Sequence, residues 1–409
     1  MTIEQKAEAP ARPARVVTPE LSLLTACQFL YYGGLAVDLT LTAVVGLQLA
    51  PTLALATVPL TVMSIVATIA SYFAGTLSVR FGHRSILIAG ASIATIGGLI
   101  SMWAVLIDSF ALLCAGTAVV GLYKATGGYF RYLAADRAPT GARTRALSIV
   151  LCGGVAAAVV GPWAATGTSE LMSVLYAGSY LLVAGLAAAV VFLMLFVRPG
   201  AKPAPGDDNA AAVSIRGVIR TTDFRTAFLL LASASGVMTL LMAMGPIGNA
   251  HAGHSAASGA LMIQWHMVGM FAPSLFSGRL TTKWGGHRSA LVGAGTLLAG
   301  TRVGVLNPDP RGFTLSRGLI GVGWNFLYVA GSNYVVRCYP AGKGGRVQGA
   351  IEASVGAVGA TASLASAAIF QVLGWQGTNF AALAVCTALV GWLVIRARAL
   401  GATPASAEV

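Results

Sequence analysis

Two apolar stretches of this chain carry sulfur and imidazole at helical spacing. Met238-Thr-Leu-Leu-Met242 sets two thioethers one turn apart, with Met244 just beyond, and Met262, His266 and Met270 recur at intervals of four. Residues four apart share a helix face, so each stretch presents a stripe. Thioethers are soft ligands that select Cu(I), and imidazole is an acceptable companion. Two facing stripes would form a neutral, few-coordinate site that holds a soft monovalent ion loosely enough to release it. Methionine alone on an apolar helix is ordinary packing. His266 tips the balance, because an ionisable group in mid-span is a functional candidate by default. Between the stretches, His251 and His254 stand three residues apart; they either collect a metal at the mouth of the site or form a solvated polar turn.

A second chemistry is legible in the aromatic residues. Trp265, Trp324, Tyr31, Tyr32, Phe130 and Tyr132 offer faces on which a flat organic ring can stack, and Lys124 or Asn325 offers a hydrogen bond to its polar edge. The methionines then become apolar lining. Charges within spans are also candidates, since each costs about 2.5–3.5 kcal/mol on insertion scales. Asp38 and Lys124 lie inside apolar runs, and Glu352 nearer a rim. Asp38 and Lys124 either form a structural ion pair, or one of them carries a proton or touches the cargo.

These residues need helices in lipid to position them. The chain of 409 residues is 56% hydrophobic and 10% charged, with a mean hydropathy of +0.77. Soluble domains carry about 25% charged residues, so most of this surface must face lipid. A spanning helix needs about 20 apolar residues, and a chain in lipid must satisfy its own backbone groups. Without strand alternation, the expectation is an all-α membrane protein. Its twelve helices fall at residues 21–47, 52–79, 85–107, 110–133, 146–168, 172–197, 225–249, 257–282, 289–306, 312–337, 347–372 and 377–396.

The formal charge of +13 does not point to nucleic acid. Lys and Arg collect in alternate loops, around residues 80–84, 131–145, 198–225, 283–288, 337–346 and 396–398, with Arg302 and Arg311 as exceptions. This positive-inside asymmetry puts both termini in the cytoplasm. Residues 1–20 read as a disordered cytoplasmic tail without the order of a cleaved signal. Residues 21–198 read as a first six-helix bundle, 199–223 as a Pro-rich cytoplasmic linker, 224–398 as a second bundle and 399–409 as a second tail. The five cysteines form no C-x-x-C pair and read as packing residues.

The two halves repeat. Gly75, Leu77, Arg80 and Gly82, with Arg84 following, correspond at one offset to Gly278, Leu280, Lys283 and Gly285, with Arg288 following. Such a repeat marks parallel halves related by an axis along the membrane normal. The pattern resembles the loop motif G-x-L-a-D-r-x-G-r-r of the major facilitator superfamily, with Val79 and Thr282 where that motif has Asp. Lys124-Ala-Thr-Gly127-Gly128 resembles its R-x-x-q-G motif. The resemblance covers the whole chain and implies two pseudo-symmetric six-helix bundles that rock about a central site.

Within that superfamily, Met238-x-x-x-Met242 with Gln264-Trp265-His266-Met-Val-Gly-Met270-Phe-Ala-Pro273-Ser274 resembles the CcoA-like bacterial copper importers. Tyr129-Phe-Arg131-Tyr-Leu-Ala-Ala-Asp136, Gly153-Gly154 running to Gly161-Pro162, and Gly323-Trp324-Asn325-Phe326 add to the likeness. The resemblance implies that Met238, Met242, His266 and Met270 handle copper; the wider family also contains riboflavin transporters. The leading expectation is a non-enzymatic, monomeric secondary transporter of the bacterial inner membrane, without cofactor, that takes up copper as cargo. Its alternatives are uptake of riboflavin or a similar organic solute, and proton-coupled drug export.

Overall fold

The computed structural model describes residues 18–52, 55, 58–199, 215–243, 253, 256–307, 309–340 and 343–401. Among them the chain is helical, with no strand. In the first half, α1 (Pro19–Leu49), α2 (Val58–Leu106), α3 (Phe110–Gly127), α4 (Tyr129–Arg137), α5 (Arg143–Leu151), α6 (Gly153–Gly167) and α7 (Ala177–Leu195) follow in order. A short α8 (Ile215–Ile219) precedes the second half. There α9 (Thr222–Ala243), α10 (Ala256–Phe271), α11 (Ser274–Trp284), α12 (Gly286–Leu306), α13 (Pro310–Arg337) and α14 (Gly345–Gly401) complete the chain.

Local chemistry sets these boundaries. Thr18 caps α1 by accepting from the Leu21 amide at 3.2 Å, with Pro19 at the first helical position. Asp309 and Pro310 start α13 in the same way. Ser109 caps α3. Eight helical stretches meet the length and apolarity of a span, and one of them, Val58–Leu106, doubles back at Gly82. The broken pass of α10 and α11, the pass of α13 and the first part of α14 bring the described passes to the expected twelve. Two begin later than expected: α2 at Val58 and α7 at Ala177, after bends over residues 171–174 and a left-handed Tyr176.

Gly82 and Gly285 adopt nearly the same conformation, φ 78°, ψ 154° and φ 85°, ψ 154°. That region of backbone space belongs almost wholly to glycine, so the sequence repeat is also a conformational repeat. Large apolar side chains face outward: Trp163 is 75% exposed and Leu364 72%. Contiguous exposure of this kind belongs in lipid.

The basic loops converge on one face. There Arg137 pairs with Glu20 at 3.7 Å, Arg337 with Asp223 at 3.4 Å, and Arg84 donates to the Met194 carbonyl at 3.1 Å. Arg137, paired with Glu20, also donates to the Arg198 carbonyl at 2.8 Å, so the start of α1 and the chain just past α7 meet on this basic face. Residues 1–17, the linker segment 200–214 and the end 402–409 lie outside the described residues.

Candidate functional site

Helices of the two halves meet through small residues. A Cβ on Gly75 of α2 would stand 2.6 Å from the Gly345 carbonyl oxygen and 2.8 Å from the Gly349 amide of α14. Its repeat partner Gly278 of α11 packs equally close on Ser148 and Thr144 of α5. Each repeat glycine thus docks on a helix of the opposite half. The Gly278 amide donates to Ser148 Oγ at 3.0 Å, and Ser148 donates in turn to the Ser274 carbonyl. Arg80, Lys283 and Arg288 are exposed at the loops, whereas Arg84 caps the end of α7 through the Met194 and Leu195 carbonyls.

A polar lattice closes the same face. His83 Nε2 donates to Gln348 Oε1 at 2.5 Å, Gln348 Nε2 donates to the Tyr339 hydroxyl at 2.6 Å, and Arg143 pairs with Asp136 at 3.1 Å. Thr144 donates to Asn333 at 2.7 Å, and Arg143 donates to the Val336 carbonyl at 2.9 Å. Val79 cannot make the ion pair that an acid would make at its motif position. Here the bonds from His83 to Gln348, Thr144 to Asn333 and Arg143 to the Val336 carbonyl join the halves instead, with Asp136 holding Arg143 and His83 on the first-half side.

Deeper in, Arg131 of α4 and Glu352 of α14 form an ion pair at 2.5 Å. Arg131 also donates to the Tyr132 hydroxyl at 2.8 Å, and that hydroxyl donates to Glu352 at 3.0 Å. The guanidinium lies 4.4 Å from the Tyr132 ring and 4.1 Å from the Tyr328 ring. Cation–π contacts on both rings hold it flat.

An aromatic run extends from there. Tyr328 stacks on Trp324 at 4.2 Å, Trp324 meets Phe271 edge-on at 6.4 Å, and Phe271 meets Tyr32 at 4.5 Å. Tyr32 touches Tyr31, which touches Tyr123 and Phe130. The run crosses the boundary between the halves at Tyr32 and Phe271.

The charged candidates of the first half stand beside this run. Asp38 Oδ1 accepts from Thr42 at 3.4 Å, and Thr42 accepts from the Tyr180 hydroxyl at 3.2 Å. Asp38 Oδ2 is buried without a hydrogen-bond partner. Asp38, Tyr31, Gly34 and Tyr123 line a cavity of about 10 Å³, room for about one water. Lys124 donates to Ser64 at 3.4 Å, while its carbonyl accepts from the Tyr31 hydroxyl at 3.3 Å. No ion pair joins Asp38 to Lys124 among the described residues.

The sulfur and imidazole candidates are divided. Met238 and Met242 are partly buried on α9, which packs against α13 and α14. His266 and Met270 are on α10, which packs against α13 and, across the boundary, α6. Met270 belongs to a cluster with Ala36, Ala158, Met267 and Phe271. His266 is buried, and its Nδ1 donates to the Arg317 carbonyl at 3.0 Å. That bond assigns the proton to Nδ1 and leaves Nε2 as a buried acceptor without a partner. Trp265 is 52% exposed and points away from the interface run. Asn325 donates to the Met270 carbonyl and to Ser274 Oγ, both at 2.6 Å, and so staples the break at Pro273 between α10 and α11. His251, His254 and Met244 lie outside the described residues.

Sequence reasoning passed over Arg317, Tyr328, Gln348 and the pairing of Arg131. The rule that a charge inside a span is a candidate would have found Arg317, which sits in an apolar run between Phe313 and Trp324. Gln348 and Tyr328 carry no such signal.

Comparison with known proteins fits this architecture. The family model of the Major Facilitator Superfamily matches residues 21–306 and 227–408. The chain is 29% identical over 299 residues to the riboflavin transporter RfnT of Brucella anthropi, covering 71% of this chain and 74% of that one. Among solved structures it resembles the human organic anion transporter MFSD10 (TM-score 0.74, 15% identity), covering 92% of this chain and 100% of that one. It also resembles FucP in the outward conformation (TM-score 0.75, 14% identity), covering 93% of this chain and 99% of that one. With its paired glycine turns, its twelve passes and a family match over both halves, the chain belongs to the major facilitator superfamily and is a multi-pass membrane transporter of small solutes.

Proposed function

We propose that this transporter takes up a flat heteroaromatic solute of the riboflavin class by alternating access. The observation that carries this reading is the aromatic run from Tyr31 through Tyr32, Phe271 and Trp324 to Tyr328, which crosses between the halves beside the Arg131–Glu352 pair. Rocking halves expose a site at their boundary to each side in turn, and stacked rings there recognise a flat solute with little entropy loss. The likeness to a riboflavin transporter supports the same cargo class.

By the positive-inside rule the basic face lies in the cytoplasm of a bacterial cell. The contacts of Gly75, Gly278, His83 and Arg131 then close the cytoplasmic side, and solute enters from the other. Asp38, buried with one free oxygen beside a water-sized cavity, is the proton acceptor that couples uptake to a gradient. The test is uptake of radiolabelled riboflavin by a riboflavin auxotroph with no other flavin carrier. Accumulation that depends on this chain supports the reading; none, with the protein present in the membrane, removes it.

Copper uptake is the second reading, favoured by the free, buried Nε2 of His266 one turn from Met270. Two features weigh against it. Met238 and Met242 sit on a helix whose packing partners are α13 and α14 rather than α10, and His266 bonds to the carbonyl of Arg317, a cationic residue that would repel a metal ion. Copper uptake restored by wild type and not by His266→Ala would reverse the ranking.

A further inference from the structure

Arg317 is a buried cation with two of its three guanidinium nitrogens unused. It is the eighth residue of α13, about 10 Å along the axis from the start of that helix, and its side chain is 0% exposed. Nη1 donates to Ser316 Oγ at 3.1 Å, and the guanidinium lies 4.8 Å from the centre of the Trp375 ring. Nε and Nη2 have no hydrogen-bond partner. Among the described residues no carboxylate pairs with it. The Nε1–H of Trp375 is likewise buried and unpartnered.

An arginine cannot relieve this by losing its proton. A buried charge is tolerated when paired and hydrogen-bonded, and one hydroxyl and one ring face fall short of that. The unused donors are also not scattered. Nε–H and the outer N–H of Nη2 point the same way from one edge of the planar group, at the spacing of two oxygens on a single carbon. A halide offers that edge a single acceptor that the two N–H groups must share, whereas a carboxylate offers each its own oxygen. No part of the Arg131–Glu352 layer or the aromatic run includes Arg317, and riboflavin has no carboxylate to offer it.

We propose that Arg317 anchors a second ligand site, which takes a small organic carboxylate in a side-on, two-point contact with Nε and Nη2, against Trp375 and Ser316. The ligand neutralises the guanidinium and completes the interior of the second half.

The test uses the purified full-length protein in detergent at neutral pH, titrated with sodium acetate against sodium chloride at matched ionic strength. Acetate is expected to raise the melting temperature saturably and to change the tryptophan fluorescence saturably, with chloride doing neither. Arg317→Lys keeps the charge without the fork and should weaken acetate at least tenfold; Arg317→Gln should abolish the response. Should Arg317→Gln fail to fold, Trp375→Phe decides: it should retain the thermal shift and lose the fluorescence change. The proposal is overturned by no saturable response to acetate, by an equal response to chloride, by an unchanged response in Arg317→Gln, or by a fluorescence change that survives Trp375→Phe.

Discussion

Arg131 and Glu352 are 221 positions apart in the chain and meet at 2.5 Å, one from each half of the molecule. The pair is held between the rings of Tyr132 and Tyr328, with the Tyr132 hydroxyl donating to the same carboxylate oxygen. It is a latch that must open whenever the halves separate on this side. Breaking it from one side leaves an uncompensated buried cation, which costs about 3–5 kcal/mol when fully buried. Glu352 keeps 20% exposure, so a smaller loss of about 1–3 kcal/mol is expected. Glu352→Gln should lower thermal stability by that amount and reduce uptake at least tenfold. A Ser78→Cys probe in a cysteine-free background, buried where α2 meets α14, should label faster in Glu352→Gln than in the parent. Equal labelling would remove the latch.

The glycine contacts set how closely the halves approach. Gly75→Val and Gly278→Val each force a side chain into the backbone or a short side chain of the opposite half. Overpacking of this kind costs about 1–3 kcal/mol. Both variants should reach the membrane, and both should transport poorly, because the closed arrangement of the basic face is the one that is blocked. Normal uptake by either would mean that this close approach is dispensable.

Ring stacking predicts a graded response at Trp324. An aromatic pair contributes about 0.5–1.5 kcal/mol beyond buried area, so Trp324→Ala should raise the KM for riboflavin about tenfold, and Trp324→Phe by less. A uniform fall in transport rate at unchanged KM would instead make Trp324 a packing residue.

Met238→Leu/Met242→Leu separates the two cargoes. Leucine conserves apolar volume at a cost below about 1.5 kcal/mol and removes both sulfurs. Riboflavin uptake should survive the double change; a copper carrier should lose its uptake.

Asp38→Asn keeps shape and hydrogen bonding to Thr42 and removes the ionisable group. Uptake driven by a proton gradient should fail in this variant, while exchange of labelled for unlabelled solute, with no gradient, should continue. Full gradient-driven uptake by Asp38→Asn would place the coupling proton elsewhere.

The fold was legible because its causes are local. Helices in lipid follow from apolar run length, the two-fold repeat from a common offset, and the tight turns from Gly82 and Gly285, whose positive φ is a property of one residue at a time. The Asp38 and Lys124 candidates were legible for the same reason, since the cost of a charge in a span depends on where it sits in the sequence. The interface could not be read this way. Spacing puts Met238 and Met242 on one stripe and His266 and Met270 on another, and whether the stripes face each other depends on α13, which packs against both helices. Helix packing likewise decided that Trp265 faces outward while Trp324 joins the aromatic run, that Asn325 staples a broken helix, and that Arg131 finds Glu352. A sequence states each residue's own preferences along one helix; which residues meet across a boundary between halves is settled only when every helix has been rotated and docked.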